Sequence, residues 1–119
     1  IMSKGYLTTH VLDTYNGKPG SGIKGSIYFF EDSNPKKIAD FILNADGRCD
    51  QPILENNHFK IGKYEIKFDC GEYFKKFTKL SDNPFLDDVV IRFGISDNNE
   101  HYHVPLLISP WSYTTYRGS

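Results

Sequence analysis

Cysteine is scarce in this chain: two among 119 residues, Cys49 and Cys70, with no CxxC spacing. One disulfide is the alternative, but the pair reads as two reduced thiols of a cytoplasmic protein. Long apolar runs are missing too. Nothing approaches the roughly 20 residues a spanning helix requires, so no membrane partner is expected. The opening Ile1-Met2-Ser3-Lys4-Gly5 lacks the apolar stretch of a secretory signal. Ile1 ahead of Met2 reads as an addition to the native start, and residues 1–5 are expected to lie outside the ordered domain. Neither sign of charge dominates: 14 Lys and Arg face 15 Asp and Glu, for a net charge of −1. An overall basic surface is therefore absent, and no nucleic-acid partner is expected. The GxSxG elbow, the P-loop and the dinucleotide-binding glycine pattern are also absent.

What the chain does have is aromatic residues, 15% of the total and mostly Phe and Tyr, whose flat side chains suit pleated surfaces. Alternating patterns predict strands over Tyr6 to Asp13, Gly25 to Glu31, Lys37 to Leu43, Gln51 to Leu54, Gly62 to Asp69, Asp88 to Ser96, His101 to Ser109 and Ser112 to Arg117. Turn-rich segments separate them: 16–22, Asp32-Ser33-Asn34-Pro35, Asn44-Ala45-Asp46-Gly47 and Asp97-Asn98-Asn99-Glu100, the last read as a hairpin. Cys70 to Leu80 carries Tyr73, Phe74 and Phe77 at helical spacing between lysines, which predicts one short amphipathic helix. A single mainly β domain follows, an antiparallel two-sheet sandwich of about eight strands.

Acid–base chemistry near neutral pH points first to the four histidines. His58 sits in the polar Glu55-Asn56-Asn57 loop, where solvation alone explains it. Alternation puts His10 on the strand face of Thr8 and Leu12, and puts His101 and His103 together, opposite Tyr102, Val104, Leu106 and Ile108. The His-x-His pair invites a metal, but the sequence offers no third ligand beyond His10. Pro105 removes a donor two residues after His103, which fits an edge or a bulge. Arg48, directly after a tight Asp-Gly turn, is either half of a surface ion pair or a fixed cation able to grip a planar anion.

Several segments, taken in order, resemble one family. They are Leu7-Thr8-Thr9-His10-Val11-Leu12-Asp13, Asp46-Gly47-Arg48, Tyr102-His103-Val104-Pro105-Leu106-Leu107 and the terminal Tyr116-Arg117-Gly118-Ser119. Gly17-Lys18-Pro19-Gly20 and Phe68-Asp69-Cys70-Gly71-Glu72-Tyr73-Phe74 fall in the same order, so the likeness runs from residue 6 to 119. The family is that of the 5-hydroxyisourate hydrolases, built on the transthyretin-like sandwich. The resemblance implies hydrolytic opening of 5-hydroxyisourate in urate degradation, by a homotetramer needing neither cofactor nor metal. By motif, it implies His10, Arg48, His103 and Ser119 as catalytic residues, with His10, Arg48, Tyr116 and Arg117 binding substrate. Either His103 or His10 is the base on this reading. The terminal tetrapeptide separates such enzymes from the transthyretin carriers, and a small-ligand carrier is the alternative. In a eukaryote the same chemistry fits a peroxisome, although Arg117-Gly118-Ser119 is not the usual address.

Overall fold

Alternating apolar side chains turn most of this chain into strands, and the computed structural model describes residues 4–119. Among these residues run nine strands: β1 (Tyr6–Asp13), β2 (Lys18–Pro19), β3 (Lys24–Glu31), β4 (Asn34–Ile42), β5 (Leu54–Glu55), β6 (Gly62–Phe68), β7 (Val89–Ile95), β8 (His101–Ile108) and β9 (Tyr113–Thr115). One helix, α1 (Cys70–Phe74), joins β6 to β7. The first sheet has the order β2-β1-β8-β9 with β5 also on β1, and the second has the order β4-β3-β6-β7. This is the mainly β two-sheet sandwich with one short helix that the patterning predicts.

The core lies between the sheets. Leu7 and Val11 of β1 and Tyr102, Leu106 and Ile108 of β8 meet Ile27 of β3, Tyr64, Ile66 and Phe68 of β6, and Val89 of β7. Each large apolar side chain so buried contributes about 1.5–3 kcal/mol. One carboxylate is buried with them: Asp13 accepts hydrogen bonds from Tyr73 Oη at 2.7 Å and from both nitrogens of Asn16 at 2.9 and 2.7 Å. The α1 helix is thereby tied to the end of β1, and burial, reinforced by this carboxylate, pushes the Tyr73 phenol up.

Four details differ from the sequence reading. The ladder between β1 and β8 is parallel, while every other pair is antiparallel. Residues 97–100 do not close a hairpin, because β7 and β8 belong to different sheets. Both strands point apolar residues at the same core, so the chain crosses from one layer to the other. The crossing is pinned by Tyr102 Oη, which accepts from the amides of Ser96 and Asp97 at 3.1 and 3.2 Å. The helix stops at Phe74 rather than Leu80, because Cys70, Tyr73 and Phe74 complete its buried face. Beyond them the amides of Lys76 and Phe77 bond three residues back, a tighter winding than an α-helix. Finally, the turn after β3 shrinks to Asp32 and Ser33, since Glu31 already pairs with Asn34.

Of the opening residues, 1–3 lie outside the described part. Gly5 is buried, its amide donating to Asn98 O at 2.9 Å. No helix among the described residues is long and apolar enough to cross a membrane.

Candidate active site

The parallel ladder sets Tyr6 beside His101, Thr8 beside His103 and His10 beside Pro105. Residues alternating with these fill the core, which leaves Thr8, His10, His101 and His103 half-exposed on the outer face. Thr8 lies between two imidazoles: its Oγ1 is 2.6 Å from His101 Nε2 and 2.8 Å from His103 Nδ1. Tyr6 stacks on His101 with ring centroids 4.1 Å apart and planes within 12°.

Arg48 reaches this face from the loop after β4. Asn44 organises that loop: its side-chain oxygen accepts from the amides of Asp46 and Arg48 at 2.9 and 3.1 Å, and its amide donates to Arg48 O at 2.7 Å. Gly47 has φ +76°, and a Cβ there would strike Val11 O, so only glycine lets the loop lie against β1. His10 and Arg48 form a bridge between the loop and β1, and His10 Nε2 lies 3.0 Å from Asp46 O. A carbonyl only accepts, so this nitrogen carries the proton and the free lone pair of neutral His10 is on Nδ1. Among the described residues Arg48 makes no ion pair.

The C-terminal segment closes the third side. After β9 the chain touches β8 once more, where Gly118 N donates to His103 O at 2.8 Å. Ser119 then lines an open hollow of about 430 Å³ together with Arg48, Thr8, His101 and His103. Tyr116 and Arg117 line a neighbouring hollow of about 240 Å³ that shares His103 as its wall. Arg117 is engaged within the chain, 3.0 Å from Glu100 Oε2 and with its guanidinium carbon 4.0 Å from the Tyr102 ring centroid.

Electrostatics distinguish the groups in the larger hollow. Desolvation, followed by the nearby His101, Arg48 and His10, holds His103 below the ordinary imidazole value. A neutral imidazole at physiological pH is the form able to accept a proton. Cys49 also lines the hollow, but burial pushes its thiol up to about 11. It stays protonated near neutrality and is a poor nucleophile. As for metals, the described residues that gather three ligand atoms closely enough for an ion are Asp69, Asp87 and Asp88, beside α1.

The structure thus brings together His103, Arg48 and Ser119, with His10 on the flank. It places Tyr116 and Arg117 in the adjoining hollow, and it leaves His58 exposed on a separate turn at Asn56–His58. Sequence reasoning missed the contacts of Thr8 with His101 and His103. The signal was the shared face of Thr8 with His10, which gains meaning only when β8 is known to lie alongside.

The class of protein follows from the architecture. Sea bream transthyretin in complex with thyroxine superposes with a TM-score of 0.84 at 27% identity, over 94% of this chain and 93% of that one. The chain belongs to the HIUase/Transthyretin family, whose profile matches residues 7–118. Within it, the chain is 52% identical to the 5-hydroxyisourate hydrolase of Pseudomonas aeruginosa, over 97% of this chain and 92% of that protein. It is 40% identical to the mouse enzyme of the same name, over 95% and 94%. A crystal structure of (S)-allantoin synthase matches with a TM-score of 0.92 and 45% identity, covering 98% of this chain but 44% of that longer one.

Proposed function

We propose that the protein hydrolyses 5-hydroxyisourate, opening its six-membered ring to 2-oxo-4-hydroxy-4-carboxy-5-ureidoimidazoline in the breakdown of urate. The observation that carries this reading is nearly full-length likeness to several 5-hydroxyisourate hydrolases at 40–52% identity. The geometry supports it. Water attacking a ring carbonyl must lose a proton, and His103, kept neutral by its surroundings, is the base. Arg48, free of a partner among the described residues, faces the oxyanion that develops as the carbonyl is attacked. His10, held by Asp46 O, fixes the substrate through its ring. The Ser119 hydroxyl orients the water, and no cofactor or metal takes part.

The hollow beside His103 is open, and Tyr6 on its wall and Tyr116 on the adjoining one stand exposed. In this reading four copies pair around symmetry axes, closing the hollow and bringing Tyr116 and Arg117 to the substrate. The enzyme works in the cytoplasm.

The test is the absorbance decay of freshly generated 5-hydroxyisourate with and without the protein, repeated after exhaustive chelation. Acceleration that survives chelation supports the reading. Tight substrate binding without acceleration makes the protein a carrier, and a loss restored by zinc revives the His101–His103 pair as a metal site.

A further inference from the structure

We propose that Thr8 and His101 form a reversible proton relay behind His103, in which His101 holds the proton of the attacking water until the ring nitrogen leaves. The inference rests on the hydrolytic reading above. Its foundation is one hydroxyl between two ring nitrogens, 2.6 Å from His101 Nε2 and 2.8 Å from His103 Nδ1.

A threonine hydroxyl has a single proton, so it donates to one ring and must accept from the other. Two neutral arrangements satisfy both contacts. In the first, His103 Nδ1–H donates to Thr8 and Thr8 donates to His101 Nε2, so both rings carry their proton on Nδ1. In the second, His101 Nε2–H donates to Thr8 and Thr8 donates to His103 Nδ1, so both carry it on Nε2. The two rings are therefore bound to the same tautomer. Only the first arrangement leaves a lone pair on His103 Nε2, the atom needed to accept a proton from water.

The relay follows from moving three protons in one direction. As the water oxygen bonds to the carbonyl carbon, its proton goes to His103 Nε2. The Nδ1 proton of His103 passes to Thr8 Oγ1, and the hydroxyl proton of Thr8 passes to His101 Nε2. His103 is neutral again and His101 is an imidazolium. When the carbon–nitrogen bond breaks, the ring nitrogen takes the proton on His103 Nε2, the other two protons return, and the starting arrangement is restored. Arg48 and His10 stand beside His103, whereas His101 lies flat against Tyr6 with ring centroids 4.1 Å apart, and an aromatic face attracts a cation.

Ring-nitrogen NMR and kinetics test this together. In the unmodified protein above pH 7, His101 and His103 should show the same tautomer, and in Thr8→Val that coupling should disappear. Thr8→Val keeps the shape and deletes the hydroxyl, so kcat should fall about ten- to a hundredfold with KM within about twofold, while Thr8→Ser recovers most of the loss. The number of protons in flight, read from rates in mixtures of light and heavy water, should drop in Thr8→Val. Should that variant not fold, His101→Phe keeps the stack on Tyr6, removes the acceptor, and should show the same kinetic loss. Opposite tautomers in the unmodified protein overturn the relay. So does a hydroxyl-free variant at full kcat, or a Thr8→Ser variant as impaired as Thr8→Val. A protein with coupled tautomers but no hydrolase activity instead sinks the functional reading and leaves the hydrogen-bonded unit standing.

Discussion

Adding one methyl group at Gly118 tests whether catalysis depends on where the His103 ring sits. A Cβ built there lies 2.7 Å from His103 Cδ2 and 3.3 Å from Cγ. Ordinary carbon–carbon contact begins near 3.5 Å, so something must give by about 0.8 Å. The ring has little freedom to yield, because Nδ1 is held by Thr8 and the backbone carbonyl by Gly118 N itself. If the tail yields instead, Ser119 moves with it. Either displacement acts on the reacting groups, and a misplacement near 1 Å costs on the order of a hundredfold. Gly118→Ala should therefore lower kcat roughly ten- to a hundredfold. Stability should be nearly unchanged, since Gly118 is half-exposed and lies outside the core. The assay is decay of 5-hydroxyisourate beside a thermal melt. Near-normal turnover in a Gly118→Ala protein of unaltered assembly would show that this contact does not hold the base in place, and the reasoning would be refuted.

Four further outcomes are expected. Activity should rise with pH through an inflection below 6.5 and then level, because the base must be unprotonated and its environment lowers its proton affinity. Arg48→Gln removes one of the cations responsible, so the acid limb should move up towards 6.5 while the plateau falls about a hundredfold or more; a downward move counts against His103 as the base. Deleting Tyr116 to Ser119 removes an exposed tyrosine and the exposed Arg117–Glu100 pair, so stability should change by under about 2 kcal/mol. Turnover should nevertheless collapse, and a truncated protein with full activity by the same assay would remove the tail from the site. Tyr73→Phe withdraws one donor from the buried Asp13 carboxylate, which should cost about 1–3 kcal/mol in denaturant unfolding and leave kcat alone.

How legible this protein is from its residues depends on whether the information is local. Tyr6–Asp13 alternates cleanly and forms a strand with those bounds, and residues 89–95 and 101–108 do nearly as well. A turn such as 97–100, by contrast, reads the same whether it folds a strand back in its own sheet or carries it across to the other. Only the partner strands decide. The site divides in the same way. Arg48 and His103 stand out because an unpaired cation and an imidazole carry recognisable chemistry. Thr8 is an ordinary strand residue until the parallel register sets it between two rings. The resemblance groups Tyr116 and Arg117 with Arg48, yet within the chain they border the hollow on the other side of His103.

The hydrogen bonds that join Thr8 with His101 and with His103 close loops of 93 and 95 residues. Pairings so distant along the chain form slowly, because the entropy of closing the loop must be met before the contact returns anything. The second sheet is built from β3, β4, β6 and β7, which are near neighbours in order and can assemble while the rest is still loose. A ribosome would have to release nearly the whole chain before β8 could settle beside β1. Refolding followed by catalysis should consequently lag behind refolding followed by intrinsic fluorescence or circular dichroism, since the strand that carries the proposed base pairs across most of the chain.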